Sequence, residues 1–318
     1  MAIEILLLLP GLFLLILANY TEKKKEFRII TQVLLGMLIL TVIANGLLII
    51  AMSGTSAMEG LMDAGATHGY GVAVFLTGLF ASMLFLKPVR YGLAAILDIS
   101  GDNWLHITAM VFAILLTGVS LATAANLDIS ALGQGSGSVM ATVLLQDCLF
   151  VISAFFGVGW MVRRKWKDVL KRLGIVKPSP RDIGMSLGFL GILFAIIITV
   201  GLISMILQYE SGVLETKDDP TLKIIGGVTI LSALLFAFGA GISEEILFRG
   251  AMQPRLGIII TSLVFTAAHT QYPNPVQMAT LFTMSVVFGY ERVKLNTTAC
   301  IITHVLYDLL MLLTIALL

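Results

Sequence analysis

Three short patterns in the last third of the chain place reactive side chains in apolar surroundings. The first is Glu244-Glu245-Ile246-Leu247-Phe248-Arg249. On a helix, Glu245 and Arg249 are four residues apart and can form an ion pair. Glu244 lies about 100° further round the helix and is not neutralised by that pair. The second pattern is Phe265-Thr266-Ala267-Ala268-His269, with Phe265 and His269 on one face. The third is His304-Val305-Leu306-Tyr307-Asp308, whose histidine and aspartate also share a face. Each has a plain structural reading: charges at a helix end in water, an interfacial histidine, or a polar packing pair. Together they put three acids, two histidines and an arginine between residues 244 and 308. Ionisable groups inside apolar segments are costly, so their convergence calls for a reason.

The chemistry that fits these groups is hydrolysis. A water held between a carboxylate and an imidazole can lose a proton as it attacks an amide carbonyl. The resulting oxyanion needs donors aimed at it. Glu244 and His269 are the candidate water-activating pair. Glu245 and Arg249 would position the site, and His304 with Asp308 would stabilise the oxyanion. No serine or cysteine is placed as an obvious nucleophile. Zinc is the competing chemistry, with Glu244, His269 and His304 as its ligands. His-Glu-x-x-His is absent, however, and the expectation is a site without metal or cofactor.

The elements that must position these groups follow from composition. Hydrophobic residues make up 58% of 318 residues and charged residues 12%, with a mean hydropathy of +0.99. A soluble domain carries roughly a quarter charged residues, so this chain has too few to cover a soluble globule. A net charge of +1 gives no sign of a nucleic-acid partner. Cys148 and Cys300 are far apart in apolar stretches and read as core residues, not a disulfide. The fold class is an all-α polytopic transmembrane bundle.

Ten hydrophobic runs are candidate spans: 2–19, 29–52, 69–86, 105–125, 138–162, 185–207, 224–247, 257–271, 276–291 and 296–318. The eighth and ninth are short, so about 8–10 crossings are expected. The first run is read as a retained span because Lys23, Lys24, Lys25 and Arg28 follow it instead of preceding it. Basic residues concentrate in the odd-numbered connections. These include Lys87 and Arg90, the run from Arg163 to Arg181, and Arg249 with Arg255. The positive-inside rule then makes those connections cytoplasmic and puts both termini outside.

Between Arg163 and Leu173, apolar Trp166, Val169, Leu170 and Leu173 recur at helical spacing among basic residues. That pattern suits a helix lying on the membrane surface. Lys177-Pro178-Ser179-Pro180 ends it. Three parts are expected: an N-terminal bundle, 1–162; a basic interfacial helix and linker, 163–182; and a C-terminal core, 183–318.

The three motifs in this order resemble those of the CAAX prenyl endopeptidase and bacteriocin-processing (CPBP, or ABI) family of intramembrane proteases. Leu173-Gly174-Ile175 and Pro180-Arg181-Asp182, ahead of a span, are similar to that family's entry segment. The resemblance covers about residues 170–318. It implies an all-α core with a cavity open to the cytoplasm and metal-independent, glutamate-type peptide hydrolysis. It also implies that Glu244 and His269 activate water, with His304 and residue 308 forming the oxyanion site. Asp308 departs from the asparagine of the best-understood members. An ionised aspartate repels an oxyanion, so Asp308 must be protonated or serve by orienting His304. The partners implied are membrane lipid and a peptide or protein substrate, with a lipidated CAAX-type terminus one candidate. A prokaryotic plasma membrane is the expected location.

Two other classes of function compete. One is a non-catalytic scaffold that docks a membrane partner through residues 1–162. The other is a proton-coupled transporter, because Asp147 beside Gln146 is a mid-span acid that the three motifs do not use. The plain reading of Asp147 is a polar contact between helices.

Overall fold

The computed structural model describes residues 2–55, 64–126, 136–206, 229–269, 272 and 274–317. Regular structure among them is helical, with no β-sheet. In chain order the helices are α1 (Ala2–Tyr20), α2 (Lys25–Met52), α3 (Ala64–Ser82), α4 (Lys87–Ala94), α5 (Trp104–Asn126), α6 (Ser136–Gly157), α7 (Trp166–Leu173) and α8 (Pro180–Ile206). Then come α9 (Ile230–Glu244), a π-helical segment (Glu245–Met252), α10 (Gln253–Ala267), α11 (Pro275–Lys294) and α12 (Thr297–Leu317). The charged connection holding Glu210, Glu215, Lys217, Asp218, Asp219 and Lys223 lies outside the described residues.

Six helical stretches among the described residues are long and apolar enough to cross a bilayer. They are Lys25–Met52, Gly65–Phe85, Trp104–Thr123, Pro180–Ile206, Ile230–Ala267 and Thr297–Thr314. Pro10–Tyr20 and Val143–Gly157 are shorter apolar helices. The seventh expected run continues through the π segment into α10, and a kink at Gly257 (φ 75°) marks the start of the eighth. The ninth run becomes α11, whose Gln277, Thr280, Ser285, Glu291 and Arg292 dilute its apolar character. Large apolar side chains stand exposed along α2, among them Ile29, Val33, Met37, Leu40 and Leu48. A surface of that kind is stable against lipid tails and not against water. The protein is an integral membrane protein.

The chain forms two compact units: Met1–Ile129 with Ala267–Thr270, and Ser130–Thr266 with Gln271–Leu318. In the first, α2 and α3 cross closely. A Cβ on Gly46 would lie 2.4 Å from the backbone nitrogen of Phe75. Small residues at such crossings let backbones approach where no hydrophobic effect drives association. Arg90, expected in a cytoplasmic connection, is buried in this unit with its guanidinium 5.0 Å over the Trp104 ring.

The second unit revises the expected boundary at residue 162. Helix α6, expected in the N-terminal bundle, packs here. Its Ala154, Phe155 and Val158 cluster with Val169 and Leu173 of α7 and with Ile246. Phe150 meets Phe248 edge-on, with ring centroids 5.9 Å apart. The basic run after α6 interrupts hydropathy without interrupting packing. The same cluster takes up one face of α7. The face of α7 that holds Val169 and Leu173 is sealed against protein, leaving Trp166 half-exposed and stacked on Phe155. Gly174, at φ 72°, closes α7 in the left-handed conformation. Ile175 N–H donates to Leu170 O and Gly174 N–H to Lys171 O, a Schellman-type end. Thr297 N–H then donates to Gly174 O, pinning this exit to the start of α12.

Candidate active site

The site is built where α9 passes into the π segment. Glu244 is the last residue of α9 and Glu245 the first of the wider coil. π-helical turns are rare and concentrate at functional sites. Here Glu245, Ile246, Phe248, Arg249 and Gly250 are all buried. The segment is therefore enclosed by neighbouring helices on several sides.

Small residues bring those neighbours close. On α9, a Cβ at Gly241 would lie 2.7 Å from Val305 Cγ2 and 3.0 Å from Val305 N. This close crossing carries α12, and His304 with it, up to the π segment. Ala233 and Ala237 continue the buried small-residue stripe along α9.

A chain of polar contacts then crosses the unit. His304 Nδ1 lies 2.9 Å from Glu245 Oε1, the ring N–H donating to the carboxylate. Arg249 Nε is 3.2 Å from Glu245 Oε2, both side chains being wholly buried. Arg249 Nη2 donates to Ser285 Oγ on α11 at 3.0 Å. The guanidinium also lies over two aromatic faces, 5.0 Å from the Phe265 centroid and 5.7 Å from Phe288. Such cation–π contacts strengthen when desolvated. On the far side of the imidazole, His304 Nε2 is 3.6 Å from Asp308 Oδ2, beyond hydrogen-bond range but within ion-pair range. His304 therefore stands between two carboxylates, with the Phe288 ring 5.0 Å away.

The pairing of Glu245 with Arg249 is thus formed, and it holds a third member, His304, that spacing alone did not bring in. Arg249 corrects one expectation. Counted also as a charge in a cytoplasmic connection, it is completely buried, because the chain around it remains helical. Phe265, the first residue of the second motif, covers Arg249 and meets Phe248 edge-on at 5.1 Å. His269 lies two residues past the end of α10 and is half-buried. It belongs to the stretch Ala267–Thr270 that groups with the first compact unit. Glu244 and His269 are therefore held by different units. Glu244 itself is 9% exposed. Among the described residues, no three His, Cys, Asp or Glu side chains are placed to hold a metal ion.

Two buried acids were not assigned to the site from sequence. Glu291 on α11 accepts from Thr303 Oγ1 at 2.6 Å and from Ser186 Oγ at 3.2 Å. It thereby ties α8 and α12 to α11. Its signal was an acid directly before the basic Arg292 and Lys294 that end α11. Asp147 on α6 accepts from Ser243 Oγ at 2.7 Å. Each bond falls on the residue just before a candidate catalytic one: Thr303 before His304, Ser243 before Glu244.

Residues 226–310 match the family model of the Rce1-like type II CAAX prenyl endopeptidases. An uncharacterised 24.3 kDa protein of Escherichia coli is 39% identical over 75 residues, covering 20% of this chain and 35% of that protein. The chain thus spans about a third of the curated relative that it matches. No solved structure matches. The matched segment contains Glu244, Glu245, Arg249, His269, His304 and Asp308, while α6 and α8 fall outside it. The match to the Rce1-like model supports, for residues 226–310, the resemblance to the CPBP family that the three motifs carry.

Proposed function

We propose that the chain is an intramembrane endopeptidase in which Glu244 activates the attacking water. The observation that carries this reading is the division of labour between adjacent acids. Glu245 is engaged by Arg249 and His304. Its Oε1 is turned to His304 and its Oε2 to Arg249. Glu244, one residue back and almost buried, is the base.

In the first step a water proton passes to Glu244 as the water oxygen bonds to the scissile carbonyl carbon. The carbonyl electron pair moves onto oxygen. His304 in its imidazolium form, with Nδ1–H held by Glu245, presents Nε2–H to that oxyanion. Asp308, beside Nε2, orients the ring and does not itself donate. The intermediate collapses, the C–N bond breaks, and the proton on Glu244 goes to the leaving amine. Substrates in this reading are membrane-associated peptides, with prenylated CAAX-type termini the first to try. The cavity opens to the cytoplasmic side of a prokaryotic plasma membrane and the termini face outward, as the lysine and arginine pattern suggests.

The test is Glu244→Gln in the full chain reconstituted in vesicles, assayed on a quenched fluorescent peptide ending in a farnesylated CAAX box. Cleavage should fall by about 10³-fold or more, with the melting temperature in detergent kept within a few degrees. Full activity in that variant overturns the mechanism.

A further inference from the structure

We propose that Asp147 is a positioning residue for Glu244, acting through its hydrogen bond with Ser243. Asp147 lies on α6, outside the family-matched segment. It is 7% exposed, in a helix of apolar composition. An acid so placed is costly to keep and needs a contact that depends on it. That contact is Ser243 Oγ, 2.7 Å from Oδ1, a charge-assisted bond. The alternative acceptor for the Ser243 hydroxyl, Ala240 O one turn back, is at 3.5 Å. The hydroxyl is thus drawn out of its own helix toward α6.

The surroundings of Asp147 are shaped to admit it. A Cβ on Gly239 would lie 2.4 Å from Asp147 Oδ2. Only glycine lets the carboxylate lie against α9 at that turn. Oδ2 itself has no hydrogen-bond partner. Asp147 is also within electrostatic reach of both Glu244 and His304.

Position explains why this contact bears on the site. Ser243 immediately precedes Glu244, and α9 gives way to π geometry at Glu245. Glu244 and Glu245 keep α-helical dihedrals across the junction, so the direction of the Glu244 side chain follows the backbone set by Ser243. A bond from α6 to the residue just before the base holds that backbone in place. Helix α6 is then part of the catalytic unit and more than a flanking span.

The kinetic test rests on the hydrolase reading and uses the same peptide and vesicles. Asp147→Ala should lower kcat about tenfold with KM within about twofold, since small misplacements of a reacting group are costly. Ser243→Ala should do the same. The double variant should be no worse than either single one, because both remove one unit. Asp147→Asn still accepts from Ser243 and should stay within about threefold of the unmodified chain. Unchanged kcat in Asp147→Ala, or Asp147→Asn as slow as Asp147→Ala, overturns the proposal.

A second arm needs no cleavage. In the Glu244→Cys chain, the alkylation rate at residue 244 should change at least about threefold on adding Asp147→Ala. It should not change on adding Asp147→Asn. An unaltered rate with Asp147→Ala overturns the positioning role whatever the peptide assay shows. Absent cleavage by the unmodified chain, with the alkylation effect present, overturns the hydrolase reading alone.

Discussion

Arg249 carries more of the site than its single charge suggests. It holds Glu245, reaches Ser285 and lies against Phe265 and Phe288. Removing one member of a buried pair leaves the other charge uncompensated, at a cost of about 3–5 kcal/mol. Arg249→Met should therefore lower the melting temperature in detergent sharply. The double variant Glu245→Gln/Arg249→Met should recover part of that loss, because neither charge of that pair is left without the other. Arg249→Lys should recover less than the charge alone would suggest, since an ammonium has no planar fork to share between Glu245 and Ser285. The proposed water activation uses only protein groups. Incubation with a strong zinc chelator should therefore leave peptide cleavage within about twofold. Loss of cleavage with recovery on adding zinc would instead assign Glu244, His269 and His304 as ligands.

At the scale of elements, close helix crossings hold the reactive residues together. Gly241 is where α9 meets α12, and a larger side chain there must push against Val305 backbone as well as its side chain. Gly241→Val should destabilise the fold by about 1–3 kcal/mol, read as a lower melting temperature. It should also lower cleavage by the folded fraction, because separating α9 from α12 separates Glu245 from His304. These elements were readable from sequence to different degrees. Helices α2, α3, α5, α8 and α12 overlap expected apolar runs, since each is long and largely apolar. The link from α9 to α10 was not readable, because its charges suggested a loop. Those charges are buried instead, and a π segment carries the helix past them. Gly257, at φ 75°, marks the break in α10.

For the whole molecule, the packing of α6 predicts where the chain can be cut. A chain lacking residues 1–129 keeps α6 against α7 and the π segment. A chain lacking 1–162 strips the cover from Ile246, Phe248, Val169 and Leu173. The first should elute from size exclusion in detergent as one species. The second should aggregate, since burying those side chains is worth roughly 1.5–3 kcal/mol each. Equal behaviour of the two would show that α6 is not integral to the second unit.

Composition alone determined that this protein lives in a membrane and is helical, because a bilayer admits few structures that satisfy the backbone. Spacing alone determined the pairs within one helix, Glu245 with Arg249 and His304 with Asp308, because helical geometry makes residues four apart neighbours. Tertiary structure decided that Glu245 also receives His304, that Glu291 and Asp147 brace the residues before His304 and Glu244, and that α6 belongs with the site. These contacts join residues 12 to 96 positions apart. Periodicity reports which face of a helix a residue occupies and carries no information about which other helix will cover that face.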